Sequence, residues 1–134
     1  MNRVLSVTGV VAALLLGTPL VGTNLAQAAV TEDNFQLRTT ADLVALCTAD
    51  PAEPMGTAAL NFCQGFGVGT YRVLLDVQIA KKRADFCMPV PGPTRNDTIA
   101  AFSAWANGNP ARLASPAEDS VYSFLMAQYP CPKS

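Results

Sequence analysis

Four cysteines, Cys47, Cys63, Cys87 and Cys131, in a chain of 134 residues without one histidine, narrow the possible folds more than any other feature. Their successive spacings are 16, 24 and 44 residues, with no Cys-x-x-Cys pair. Zinc sites usually place two ligands roughly two to four residues apart, so neither a metal nor a cofactor is expected. In an oxidising compartment an even cysteine count reads as a disulfide framework. The missing histidine also removes the commonest general base and the Ser-His and Cys-His nucleophile pairs.

The N-terminus supplies that compartment. Arg3 gives a positive start, and the run from Val4 to Leu16 is apolar apart from Ser6, Thr8 and Gly9. Gly17, Pro19 and Gly22 then loosen the chain, and Ala26-Gln27-Ala28 is the small-x-small pattern that a signal peptidase reads. A spanning helix needs about 20 apolar residues, more than this broken run offers. Residues 1–28 therefore read as a cleavable signal peptide, and no membrane attachment is expected after cleavage. The expected address is the periplasm.

The mature chain, 29–134, would be a single domain. Without Arg3 it carries eight basic and ten acidic side chains. That balance argues against nucleic acid, which asks for a strongly basic face. The cluster Lys81-Lys82-Arg83 reads as a solvated helix end. Glu53, Asp76, Asp85 and Glu118 could in principle form a carboxylate pair for acid–base work, but no spacing sets two of them together. No enzymatic activity is expected.

The pattern predicts an all-α fold. Residues 29–38 form a lead without a strong signal. Thr39 caps a first helix, with Asp42 at its third position, and Asp50-Pro51 and Glu53-Pro54 end it. A long second helix runs from about Thr57 to Lys82. Its apolar residues fall on two faces, which suits a buried central helix or an interface. Gly65, Gly67 and Gly69 inside it suggest close approach of a neighbouring helix or a bend. Thr94 caps a third helix, stopped by Gly108-Asn109-Pro110. Ser115-Pro116-Ala117-Glu118 reads as the start of a fourth, with Ser as cap and Glu reaching back.

Those helices limit the cysteine pairing. A straight helix would hold Cys63 and Cys87 about 36 Å apart, whereas a disulfide needs Cα atoms within about 7 Å. The short turn between helices one and two makes Cys47 and Cys63 neighbours. A hairpin of helices three and four brings Cys87 to Cys131. The favoured reading is therefore a small four-helix domain stapled by Cys47–Cys63 and Cys87–Cys131. Cys47–Cys87 with Cys63–Cys131 would need a break at the glycines. A core this small is marginal alone, so the disulfides are expected to matter.

Leu46-Cys47, Phe62-Cys63-Gln64-Gly65-Phe66 with Gly69, Phe86-Cys87-Met88-Pro89 and Tyr129-Pro130-Cys131 succeed one another in an order that resembles the Rap/Tai family. The resemblance runs from about Thr39 to Cys131, within an expected domain of 39–134. Named members of that family are periplasmic immunity proteins against peptidoglycan amidase toxins delivered by type VI secretion. The resemblance implies a helical protein, often a homodimer, whose partner is such an amidase and which occludes its cleft with a helix and a protruding loop. Exposure and rigidity suggest two loops for the contact. One holds Pro89, Val90, Pro91 and Pro93; the other holds Asn107, Asn109 and Arg112. Two other readings stand beside immunity: an acid-stress chaperone like the HdeA-type periplasmic proteins, and a housekeeping periplasmic helical protein of unknown partner.

Overall fold

The computed structural model describes residues 29–132, so the expected signal peptide lies outside the described residues. These fold as a 3₁₀ turn, Glu32–Gln36, and five helices: α1 Thr40–Cys47, α2 Gly56–Lys81, α3 Arg95–Asn107, α4 Pro110–Ala114 and α5 Ala117–Gln128. Among the described residues no segment is a strand.

The centre of the fold is α1, not the long α2. Although only eight residues long, α1 touches the 3₁₀ turn and all four other helices. Leu43, Val44, Leu46 and Cys47 are buried, Leu46 completely. Its start is the capping box expected at Thr39. Thr39 Oγ1 accepts from Asp42 N–H, and the Asp42 carboxylate accepts from Thr39 N–H at 3.0 Å. Thr40 is fully buried and donates its N–H and its hydroxyl to the Ser115 carbonyl, at 2.8 and 2.9 Å. That pair ties α1 to the joint between α4 and α5.

The helix α2 is peripheral. Of its 26 residues only Gly56, Ala59 and Cys63, in the first two turns, are buried. Its apolar content suits a central position, but the eight-residue α1 takes that place. A Cβ placed on Gly65, Gly67 or Gly69 would meet no atom within 4 Å, so these glycines do not serve close helix approach within the described chain. Each lowers helix stability by about 1 kcal/mol against Ala. Gly56 is different. A Cβ there would lie 1.7 Å from the Asp50 carbonyl oxygen, because the turn after α1 doubles back onto the start of α2.

Two disulfides pin this periphery to the core, and both follow the favoured pairing. Cys47–Cys63 joins the last residue of α1 to α2, with Cα atoms 5.1 Å apart. Cys87–Cys131 joins the segment before α3 to the residues after α5, at 4.8 Å. Beside the second, residues 85–87 form a clasp. Gln78 Oε1 accepts from the N–H groups of Asp85 (2.6 Å) and Phe86 (2.9 Å). Tyr122 donates its hydroxyl to Asp85 at 2.7 Å, and Cys87 N–H donates to the Tyr129 carbonyl at 2.8 Å. Phe86 sits buried between them, its ring 6.1 Å from that of Tyr71. Phe102, Trp105, Phe124 and Tyr129 complete the core, with ring centroids between 5.6 and 6.3 Å apart along the chain of contacts.

Three local expectations change. The lead is ordered: Thr31 and Asn34 form a capping box, Asn34 donates to Asp42, and Phe35 packs edge-on against Phe62. Gly108-Asn109-Pro110 does end α3 but also starts α4, with Asn109 as cap and Pro110 at the first position, so there are five helices rather than four. Ser115 does not cap α5. Its hydroxyl donates back to the Ala111 carbonyl, its own carbonyl serves Thr40, and Pro116 stands at the cap position without a side-chain bond.

The geometry makes two predictions. Gly56→Ala must displace the backbone of Asp50 and should cost at least about 2 kcal/mol, read as a lowered urea midpoint; an unchanged midpoint would contradict the tight turn. The second concerns acid. The Tyr122 hydrogen bond holds the Asp85 carboxyl below its ordinary value of 3.8, against the opposing effect of burial and with help from Arg83 and Lys81. At Asp42 burial acts the other way and is outweighed by the bonds from Asn34 and Thr39. A carboxyl lowered in the fold contributes stability above its unfolded pKa, and this is lost as pH falls through the folded value. The melting temperature should hold down to about pH 5 and then drop, and Asp85→Asn should flatten part of that drop.

Candidate functional site

Several surfaces of the described residues are candidates for binding. The first is the loop between Cys87 and α3. Pro89, Pro91 and Pro93 restrict its backbone, and the Val90–Pro91 peptide is cis. Met88 turns inward against the core while Val90 stands 98 % exposed. An apolar side chain held fully in water on a stiff loop is a poor choice for stability and a good one for contact.

The second region, Asn107 to Ala114, is not a free loop. Asn107 is exposed at the end of α3, and the Asn109 side chain accepts from Ala111 N–H at 2.9 Å as the cap of α4. Arg112 lies over the Trp105 ring at 4.1 Å and donates to the Trp105 carbonyl at 2.6 Å. Its guanidinium therefore holds α4 against α3. The two sequence-derived regions sit at opposite ends of α3, a helix of 13 residues, about 20 Å apart. The fold does not bring them into one site.

The third was not legible from the sequence. A groove of about 430 Å³ lies between α2, the proline loop, α3 and α5. Its floor is made by core side chains that are themselves almost fully covered, including Leu43, Phe102 and Phe124. One wall is the α2 face that carries Cys63, Gly67 and Tyr71 at four-residue steps, and Met88 and Pro93 come from the loop. Away from the groove α2 also leaves Val73, Val77 and Ile79 exposed, while Phe62, packed on Phe35, is only partly so. The sequence signal for both is the same double-faced apolarity.

Of the four carboxylates considered, Glu53, Asp76 and Glu118 are exposed, and Asp85 is engaged in the clasp. All four cysteines are oxidised. Among the described residues no group of three or more potential ligands is set to hold a metal, and no helix is long and apolar enough to cross a membrane.

No match to the chain is found among curated proteins or among solved structures. The sequence model of the Rap1a immunity proteins, however, matches residues 39–131, a span that includes both disulfides, the clasp and the proline loop. This chain belongs to the Rap1a immunity protein family.

Proposed function

We propose that the chain is a periplasmic immunity protein, released by cleavage after Ala28, which binds a peptidoglycan amidase toxin delivered by type VI secretion and occludes its cleft. Family membership favours a toxin as partner. The observation that carries the mode of binding is Val90, 98 % exposed between Pro89 and Pro91. A stiff loop loses little conformational freedom when it docks, so most of its contact energy remains available for affinity. Pro93, at the base of the loop, lines the groove. Asn107 and Asn109, at the far end of α3, would serve a second and separate contact, with Arg112 shaping that end rather than reaching out. The bare far face of α2, with Val73 and Val77, would pair two copies into a homodimer.

The test is a titration of the processed protein against an amidase encoded beside it. The native chain should bind it and stop peptidoglycan cleavage, and light scattering of the complex should give two copies of each partner. Val90→Asp should weaken binding by about thirtyfold or more, the size of a central contact residue, with the melting temperature unchanged. Native-strength binding by Val90→Asp would remove the loop from the mechanism. Failure to bind or inhibit any neighbouring amidase would remove the reading itself.

A further inference from the structure

Gly67 has no steric reason to be glycine. Its backbone is ordinary right-handed helix, and a Cβ there would meet nothing within 4 Å. A glycine inside a helix lowers stability; Gly65 and Gly69 share this lack of a close neighbour, and of the three only Gly67 lines the groove. Gly67 lines the groove, midway along the wall that Cys63 and Tyr71 continue. A long apolar side chain at this position would project into that space and narrow it. The glycine keeps the groove open.

The chemistry of the groove is divided between floor and rim. The floor is apolar, formed by side chains such as Leu43, Phe102 and Phe124. At the rim stands Arg95, the sole charged residue among those that line the groove. Its guanidinium donates to Gln64 Oε1 at 3.2 Å, and no carboxylate among the described residues pairs with it. The nearby Asp97 carboxylate is engaged with the Thr94 hydroxyl at 2.6 Å. A volume of about 430 Å³ falls within the usual size of small-molecule sites.

From this division we propose that the groove binds a fatty acid, its aliphatic chain on the apolar floor and its carboxylate on Arg95. Guanidinium and carboxylate match in shape as well as in charge, which gives the head group a defined place. The proline loop, through Met88 and Pro93, forms one side of the chain's path. This proposal is independent of the toxin reading, because it is tested without a toxin.

The experiment uses the full processed chain after export from an expression host. Sodium laurate, dodecyltrimethylammonium and dodecanol are titrated against bound 1-anilinonaphthalene-8-sulfonate, and direct laurate binding is followed by calorimetry. Laurate should displace the dye at a concentration at least about tenfold below that needed for either analogue of equal chain length, since only laurate gains the charge-assisted bond. Arg95→Gln should remove that preference while leaving the melting temperature unchanged. Gly67→Leu should abolish laurate binding and melt no lower than the native chain. Absence of laurate binding would overturn the proposal. So would equal binding of the cationic analogue, the behaviour of a groove that takes any apolar segment of a partner protein. Undiminished laurate binding by Gly67→Leu would place the ligand elsewhere.

Discussion

An eight-residue helix is too short to persist in water by itself, yet α1 is the element on which every other helix of this domain packs. Its existence is therefore a tertiary property. Thr39 and Asp42 close its first turn, and Thr40 locks that turn to the Ser115 carbonyl. Leu43, Val44 and Leu46 are covered on several sides. Its last residue, Cys47, is bonded to α2. Each of these loses its purpose if the others fail, which is the sense in which a small core is cooperative.

The long helix is the opposite case. At 26 residues it extends about 39 Å, but only its first two turns are buried. Cys63 fixes it at one point. The clasp of Gln78, Asp85, Phe86 and Cys87 then fixes its far end to α5. Between those anchors α2 is a beam with a groove on one side and a bare apolar face on the other. That arrangement frees two surfaces for partners while leaving the core to the short helices. It also explains why so many exposed apolar residues, Val73 and Ile79 among them, lie on one element.

Helix positions, most caps and the Cys47–Cys63 pairing were readable because each depends on nearby residues, and Cys87–Cys131 followed as the remaining pair. A Pro-rich turn forces α1 and α2 antiparallel, and antiparallel ends bring Cys47 to Cys63. Thr39 and Thr94 cap as expected. The failures share a cause. Apolar content along α2 cannot tell a core face from an unpartnered one, because both are apolar. Ser115 matched a capping box, but the buried Thr40, 75 residues away, takes its carbonyl and turns the site to another use. Gly108-Asn109-Pro110 ends one helix and starts the next with the same residues. The groove is assembled from four segments distant in sequence, so the double-faced apolarity of α2 hinted at a free surface but not at the groove's shape. Val90 was legible as part of a stiff loop, but its exposure was not.

The central claim is that oxidation holds this periphery on the α1 core. Closing loops of 16 and 44 residues stabilises a chain by roughly 3 and 4 kcal/mol in the chain-entropy model, a large share of what a domain this size possesses. The direct measurement is thermal unfolding of the processed protein, followed by helical circular dichroism, with and without reductant. The reduced chain should lose most of its stability, melting tens of degrees lower or already unfolded near room temperature. An unchanged melting temperature and helical signal after full reduction would show that the core holds α2 without its disulfides, and would contradict the account.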